Sequence, residues 1–341
     1  MPGGEPRRLL SVAAAAALAL GPLAACGDES TSGGGTTDPV TEGVDLSDVR
    51  ITVGSKDFTE QLILGQLTLQ VLQAAGATVE DETGMASTGA AREALEAGAT
   101  DVYWEYTGTG WLVILGNNEP VDDPDQQFDQ VAAQDLQRND IQWLAPAPAD
   151  NTYALAVREE VYDEDSADYD EDLAAVTTLS DLGTLIEQAP EKATLCVASE
   201  FAQRSDGLPG LEQHYGFEFP ADAVQTLDQE ALIYPAVGSG RACNFGEVFR
   251  TDGRSPALGL QLLADDQDFF AVYNPALTMR AQLYQEYPEL QDLFSPIAAA
   301  LDDQTLQELN AAVDVDGRPV NDVVQESLVD EEFLEPQGLT K

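Results

Sequence analysis

The stretch Asp101 to Thr109, D-V-Y-W-E-Y-T-G-T, decides how this chain is organised. Its aromatic and β-branched residues follow an alanine-rich helical run and precede a turn-prone Thr-Gly pair, which predicts a strand that ends at Tyr106. In an open α/β sheet, ligands bind just beyond the carboxyl ends of the strands. Tyr106, followed by small hydroxyl and glycine residues, is therefore placed either to line a pocket or to fill the core, whereas Tyr103 and Trp104 favour the core.

Strands and helices alternate along the chain before this stretch. Ile51 to Gly54 is predicted to be a strand, and Ala77 to Glu80 a second one. A helix over Thr88 to Ala97 follows, and an earlier helix that ends at Gly76 has an apolar face made of Phe58, Leu62, Leu69 and Leu72. Alternating elements of this length predict an α/β protein with a parallel sheet.

Two stretches suggest that the chain crosses between two lobes, the proline-containing stretch at 145–153 and R-T-D-G-R at 250–254. A-P-A-P-A-D-N-T-Y at 145–153 discourages helix and precedes a predicted strand, Thr152 to Arg158, so Asn151 and Tyr153 are expected to face the cleft between the lobes. Cys243 to Phe249 is predicted as the last strand of the second lobe. Leu258 to Leu263 and the helices from Met279 onward are then expected to rejoin the first lobe, which assigns residues 49–150 and 254–341 to lobe 1 and 151–253 to lobe 2.

The N-terminus has the pattern of a bacterial export signal. Arg7 and Arg8 precede the apolar run Leu9 to Leu20, and L-A-A-C ends at Cys26. This resembles the lipobox of bacterial lipoproteins, so residues 1–25 are predicted to be a cleaved signal peptide, Cys26 to carry a lipid, and residues 26–48 to form a flexible linker. The protein is expected to be extracytoplasmic and held to the cell membrane by this lipid alone. A plain secretory signal is the alternative.

The charge of the chain restricts its partners. A formal charge of -47 arises from 62 acidic and 15 basic residues, which argues against nucleic acid and anionic lipid headgroups and favours a cationic or zwitterionic ligand. An acidic surface suited to a salty habitat is an equally valid interpretation of the same charge. The single histidine, His214, argues against a multi-histidine metal site, and no metal or cofactor is predicted.

Three further features follow from position in the chain. Lys56 lies between a predicted strand and a helix N-terminus, where it would suit an anionic group, and Arg204 lies in a second strand-to-helix loop. Cys196 and Cys243 are predicted either to form a disulfide, as an exported protein allows, or to remain free thiols. The acidic segment from 159 to 172 is expected to be an exposed insertion.

Six motifs in register carry a family resemblance. They are G-S-K-D-F-T-E-Q at 54–61, E-Y-T-G-T at 105–109, N-T-Y-A-L-A-V-R at 151–158, D-G-L-P-G-L at 206–211, T-D-G at 251–253 and Y-P-E-L at 287–290. With them the chain resembles the substrate-binding proteins of bacterial ABC importers for glycine betaine, choline and related quaternary ammonium compounds, from residue 50 to 329. The resemblance implies a type II-like periplasmic-binding-protein fold with two α/β lobes, two hinge crossings and the ligand in the cleft. It also implies a monomer that serves a permease and its ATPase.

The resemblance also assigns a binding site. In the family, aromatic rings enclose the trimethylammonium head, which has no N–H to donate and is recognised by π faces. The matching positions here are Tyr106, Tyr153, Phe249 and Tyr273. Lys56, Thr109 and Arg204 match the residues that bind the ligand carboxylate, with Asn151 as a further polar residue. Phe249 in place of the usual tyrosine, Trp104 in place of proline and the acidic insertion depart from the family pattern.

The function implied is delivery of glycine betaine or a similar osmolyte to an importer. Choline, carnitine and proline betaine are the alternative ligands, and a cell-surface sensor with the same fold is an alternative function. A secreted hydrolase is disfavoured because His214 has no G-x-S-x-G partner in the sequence.

Overall fold

The computed structural model describes residues 39–117, 121 and 123–335. The predicted signal peptide, Cys26 and the linker as far as residue 38 lie outside these residues. Among the described helices, none combines the length and the apolar composition that a membrane span requires.

Strands and helices alternate through most of the described chain, as the sequence predicted. The strands are β1 (Arg50–Lys56), β2 (Thr78–Met85), β3 (Val102–Tyr106), β4 (Ile141–Trp143), β5 (Tyr153–Arg158), β6 (Leu195–Ala198), β7 (Val224–Leu227), β8 (Phe245–Phe249), β9 (Leu260–Leu262) and β10 (Pro275–Arg280). The helices are α1 (Thr59–Ala74), α2 (Thr88–Ala97), α3 (Thr107–Thr109), α4 (Pro124–Asn139), α5 (Glu171–Ala174), α6 (Leu179–Gln188), α7 (Leu208–Tyr215), α8 (Ile233–Gly238), α9 (Arg254–Ala257), α10 (Ala281–Glu286), α11 (Leu290–Ala300), α12 (Asp303–Asp314) and α13 (Val320–Asp330).

The described strands form two sheets of five. The first has the order β2-β1-β3-β10-β4 and the second the order β7-β6-β8-β5-β9. We call the part of the chain built on the first sheet lobe 1 and the part built on the second sheet lobe 2. The prediction of a two-lobe α/β fold is confirmed.

The sheet of lobe 1 is mixed, and the prediction of a parallel sheet was wrong. β1, β2 and β3 are parallel, but β10 runs antiparallel to both β3 and β4. Met279, predicted to begin a helical region, lies in β10. Short apolar runs such as P-A-L-T-M have no periodicity that separates a buried strand from a helix, so this strand was missed.

The predicted return of Leu258 to Leu263 to lobe 1 was also wrong. β9 pairs with β5 in lobe 2, where Leu262 lies opposite Ala156. The chain reverses at Gly259, whose φ of 60° favours glycine, and the Gly259 carbonyl accepts a hydrogen bond of 2.7 Å from the Glu159 amide. This turn lays β9 along the edge of β5, and the chain enters the lobe 1 sheet only at β10.

Helix α1 is buried on nearly all sides rather than on one face. Ile63, Leu64 and Val71 are fully buried, and the helix packs against β1, β2, α12 and α13. Its predicted apolar face was therefore partly wrong: Leu62 is only half buried, and Phe58 precedes the helix. A helix enclosed by its neighbours has no one-sided apolar stripe for the sequence to display.

A disulfide joins two neighbouring strands of lobe 2. Cys196 on β6 is bonded to Cys243, two residues before β8, and their Cα atoms are 5.7 Å apart. Both cysteines are buried, in a cluster with Ile233, Val237 and Val248. The bridge therefore links strands that already pair at the centre of the lobe 2 sheet.

The acidic segment from 159 to 172 is exposed along most of its length, but it is anchored to lobe 2. Val161 is fully buried, and the Tyr162 hydroxyl donates a hydrogen bond of 2.5 Å to the Val176 carbonyl. Lys192 pairs with Asp170 at 2.6 Å. These contacts hold the segment against the rest of lobe 2.

Candidate ligand-binding site

A cavity of about 340 Å³ lies between the lobes. Its walls include the carboxyl ends of β1 and β3 from lobe 1 and of β6 and β8 from lobe 2, as expected for an α/β protein. The structure brings all eight residues of the predicted ligand site to this cavity: Lys56, Tyr106, Thr109, Asn151, Tyr153, Arg204, Phe249 and Tyr273. Their role in binding a ligand stays a prediction.

The predicted aromatic residues lie close together at the crossing between the lobes. β5 and β8 are antiparallel, with Tyr153 directly opposite Phe249, and the ring centroids of these two residues are 5.1 Å apart. Tyr273 contacts Tyr153 edge-on, with 5.5 Å between centroids. The crossing strands therefore bring together rings that lie about a hundred residues apart in the chain.

Phe58 is a further aromatic residue of the cavity, and the sequence analysis did not identify it. Its ring lies 5.3 Å from that of Phe249 and 6.2 Å from that of Tyr106, so it bridges rings of the two lobes. We had assigned Phe58 to the apolar face of α1. Its place directly after the end of β1, two residues beyond Lys56, is the signal that would have identified it.

Gly108 is required by the close approach of Tyr273. A Cβ atom at Gly108 would lie 2.8 Å from two ring carbons of Tyr273 and 2.8 Å from the Val272 carbonyl oxygen. Any side chain at this position would displace the ring. The glycine of the T-G-T motif thus lets an aromatic ring pack against the backbone that follows β3.

Lys56 is already paired with a carboxylate of the protein. Its Nζ lies 2.6 Å from Oε1 of Glu105, and both side chains are almost completely buried. The other oxygen of Glu105 accepts a hydrogen bond of 3.0 Å from the Tyr103 hydroxyl. Nζ also lies 5.1 Å from the ring centroid of Tyr106. Lys56 was predicted to bind the carboxylate of a ligand, and in the structure it is paired with the carboxylate of Glu105 and lies near the Tyr106 ring.

Arg204 is held in a similar way. Its Nε and Nη2 atoms bond the two oxygens of Asp206 at 2.7 and 2.5 Å, and Nη2 lies 3.4 Å from the Thr109 hydroxyl. The guanidinium carbon is 5.6 Å from the ring centroid of Tyr153. Burial alone would raise the pKa of Asp206, but Arg204 and the Tyr273 hydroxyl, at 2.7 Å, outweigh it and lower that pKa.

Glu60 connects the cavity wall to both crossings between the lobes. Its Oε1 accepts hydrogen bonds from the Tyr106 hydroxyl at 2.8 Å and the Asn151 amide at 2.9 Å. Its Oε2 lies 2.6 Å from the Thr251 hydroxyl and accepts from the Asn310 amide at 3.2 Å. The Thr251 hydroxyl is also 2.8 Å from Oδ1 of Asn151. Burial raises the pKa of Glu60 above its ordinary value, although the hydrogen bonds donated by Tyr106 and Asn310 oppose the shift.

His214, the one candidate for a catalytic base, does not line the cavity. It lies on α7, where its Nε2 is 3.1 Å from the Gln267 carbonyl oxygen. Within the described residues, no cluster of three or more His, Cys, Asp or Glu side chains could hold a metal ion. The cavity is lined by aromatic faces and by Lys56 and Arg204, each of which is paired with a carboxylate.

Two α/β lobes with an aromatic cavity between them define a two-lobe solute-binding protein. Residues 49–329 match the family described as the substrate binding domain of ABC-type glycine betaine transport systems, and the chain belongs to that family. The resemblance noted in the sequence is therefore confirmed.

Individual relatives agree with this assignment. The chain is 36% identical over 290 residues to a glycine-betaine-binding protein of Pseudomonas aeruginosa, a match that covers 84% of this chain and 89% of the relative. It is 33% identical over 295 residues to the glycine betaine-binding protein YehZ of Escherichia coli, and this match covers 85% of this chain and 92% of YehZ. The solved structure of apo YehZ aligns with a TM-score of 0.61 and 32% identity over 83% of this chain and 99% of that one.

Proposed function

We propose that this protein is a monomeric, extracytoplasmic transport component, not an enzyme, which binds glycine betaine or a related quaternary ammonium osmolyte. It delivers the ligand to an ABC permease that an ATPase drives. The observation that carries the proposal is the convergence of Phe58, Tyr106, Tyr153, Phe249 and Tyr273 on one cavity between the lobes. Choline, carnitine and proline betaine are the alternative ligands.

The aromatic walls suit the chemistry of a trimethylammonium head. Such a head cannot donate an N–H hydrogen bond, so it gains little from a carboxylate beyond charge and is recognised by π faces, at ~0.5 to 2 kcal/mol each when desolvated. Tyr106 belongs to lobe 1 and Phe249 to lobe 2. A ligand between these rings contacts both lobes, so its binding favours the closed arrangement.

Fewer groups of the protein are available to bind a ligand carboxylate than the sequence implied. Lys56 is paired with Glu105, and Asp206 takes two nitrogens of Arg204. The Thr109 hydroxyl and Nη1 of Arg204, which has a long contact of 3.5 Å with Glu200, remain the groups best placed to meet it. We propose that these two groups orient glycine betaine, with its carboxylate toward the Arg204 side of the cavity.

Calorimetric titration of the purified full chain with glycine betaine, proline betaine, carnitine and choline tests the proposed function. We expect saturable binding of at least one of them, and tighter binding of the carboxylate-bearing ligands than of choline if Arg204 and Thr109 act as proposed. Absence of binding by all four would overturn the assignment to quaternary ammonium ligands.

We further propose that Cys26 carries the lipid that holds the protein at the membrane. The L-A-A-C sequence supports this, and a chain with a charge of -47 is repelled by an anionic membrane surface. Cys26→Ala is expected to appear in the medium while the unaltered chain stays in the membrane fraction. If the variant remains membrane-attached, the anchor lies elsewhere.

A further inference from the structure

Glu247 is a buried carboxyl group of the cavity that the proposed function does not use. It lies on β8 two residues before Phe249, so both side chains are on the same face of the strand. The residue is 2% exposed and lines the cavity. Its Oε2 accepts a hydrogen bond of 2.7 Å from the Ala198 amide, and Oε1 has no hydrogen-bond partner among the described residues.

The two arginines that line the cavity, Arg204 and Arg254, are committed to other carboxylates. Arg204 is bonded to Asp206, and Arg254 contacts Glu230 at 3.1 Å and Asp314 at 3.4 Å as well as pairing with Asp252. Besides Asp57 of lobe 1, three further acidic side chains line the cavity from lobe 2: Glu200, Asp228 and Glu230. This wall of lobe 2 therefore carries more negative groups than the protein's own cations neutralise.

The electrostatic environment of Glu247 favours a positively charged group that the protein itself does not supply. Burial raises the pKa of Glu247 well above its ordinary value, and Glu230 and Glu200 raise it further, whereas Arg204 opposes the shift. Burial likewise raises the pKa of Glu230 to about 7 despite the nearby Arg254. A positively charged group brought into this part of the cavity would relieve both effects.

We propose that Glu247 forms a second subsite, which binds a protonated, N–H-bearing nitrogen of a ligand whose trimethylammonium head lies among the aromatic rings. The ligand class is a trimethylated amino acid that keeps a second cationic nitrogen. This inference rests on the proposed function and narrows its substrate. Glycine betaine has no N–H group and would leave Glu247 without a partner.

The spacing of the groups fits such a ligand. Two residues along a strand span roughly 6 to 7 Å, so the Cα atoms of Glu247 and Phe249 lie about that far apart. Arg204 is close enough to act on the pKa of Glu247 and lies beside Thr109. An amino acid head group could therefore place its carboxylate toward Arg204 and its ammonium toward Glu247, while its trimethylated end reaches the rings.

The test compares two ligands that differ in the second cation alone. Nε-trimethyllysine has a protonated α-nitrogen, and its α-desamino analogue, 6-(trimethylammonio)hexanoate, has the same chain, head and carboxylate without that nitrogen. We expect the full chain to bind the first at least tenfold more tightly than the second by calorimetry, since a charge-assisted hydrogen bond contributes at least this much. Glycine betaine serves as the reference ligand.

Two variants locate the effect. Glu247→Gln keeps an oxygen that accepts from the Ala198 amide but removes the charge. The ratio of its affinities for the two ligands should therefore fall close to one. Glu187→Gln, an exposed substitution of the same kind on α6, should leave that ratio unchanged.

Each remaining outcome decides against the inference. If glycine betaine binds but the unaltered chain does not prefer Nε-trimethyllysine, the second subsite is overturned while the proposed function stands. The same conclusion follows if Glu247→Gln keeps the preference. If none of the three ligands binds, the proposed function fails, and the inference fails with it. The ratio in the unaltered chain decides the matter even if Glu247→Gln does not fold.

Discussion

At the scale of single residues, Glu60 shows how the hydrogen-bond partners of a carboxyl group determine its protonation. The Thr251 hydroxyl has one proton but lies within hydrogen-bond distance of both Oε2 of Glu60 and Oδ1 of Asn151. Both contacts are satisfied only if Glu60 carries a proton and donates it to Thr251. Exchanging the oxygen and nitrogen of the Asn151 amide does not remove this requirement, because Oδ1 would then face Oε1 of Glu60.

We therefore expect Glu60 to be a neutral carboxylic acid at neutral pH. Glutamine reproduces its donor and acceptor, so Glu60→Gln should fold and keep the Tyr106 contact. The infrared difference spectrum between the unaltered chain and Glu60→Gln should show the carbonyl band of a protonated carboxylic acid. A carboxylate band in its place would contradict the proton count.

Protonation of Glu60 also predicts the direction in which the stability of the fold changes with pH. The folded-state pKa of Glu60 is raised above the ordinary value of 4.5, so its contribution is fully present below that pH and is lost as pH rises through the folded pKa. Glu60→Gln cannot ionise. Its free energy of unfolding relative to the unaltered chain should therefore increase over that pH range, as denaturant unfolding at several pH values would measure.

The residues that sequence reasoning found and missed differ in one respect. Tyr106 and Tyr153 were predicted because they lie in motifs of the family, and Phe249 because it lies two residues before one, whereas Tyr273 lies outside the motifs and was predicted from the resemblance position by position. Their convergence on one cavity depends on pairings such as Tyr153 opposite Phe249. Glu105, the partner of Lys56, was not predicted, because its carboxylate comes from another strand and such an ion pair leaves no pattern in the sequence. Asp206, the partner of Arg204, lies only two residues along the chain and was missed although it begins the D-G-L-P-G-L motif.

At the scale of elements, the errors lie where the chain returns from lobe 2 to lobe 1. β10 is a short, largely apolar strand with no alternation. β9 has only three residues and depends on a reversal at Gly259 that only the backbone conformation reveals. Helices with caps were placed well: α2 begins after Ser87, whose hydroxyl accepts from the Ala90 amide, and ends at Gly98 with φ 72°. Local capping is visible in a sequence, whereas strand order is a long-range property.

The disulfide between β6 and the start of β8 offers a test at this scale. It closes a sequence separation of 47 residues, for which restriction of the unfolded chain predicts roughly 2 to 4 kcal/mol of stabilisation. The double variant Cys196→Ala, Cys243→Ala should lose this amount in denaturant unfolding, since alanine adds no polar group to the apolar cluster. Reductant should destabilise the unaltered chain and leave the double variant unchanged. Equal stability of the unaltered chain with and without reductant would show that the thiols are free in solution.

At the scale of the whole molecule, the proposed binding site is one cavity between two lobes, lined partly by aromatic rings and partly by charged groups. Under the proposed function, the aromatic rings of the cavity meet the ligand's head, and charged groups surround the rest of the cavity. The family motifs predicted this division between rings and polar residues. The excess of carboxylates on the lobe 2 wall could not be read from the net charge, because a charge of -47 is spread over the entire chain.

The central claim is that aromatic faces bind the trimethylammonium head, and Tyr153 offers its most direct test. The Tyr153 hydroxyl has no hydrogen-bond partner among the described residues, so Tyr153→Phe keeps the π face at little cost, whereas Tyr153→Leu keeps apolar bulk without it. Calorimetry with glycine betaine and choline should show near-unaltered affinity for Tyr153→Phe. Tyr153→Leu should lose roughly two- to thirtyfold for both ligands, since a cation–π contact contributes ~0.5 to 2 kcal/mol. Equal affinities of the leucine and phenylalanine variants would contradict the account.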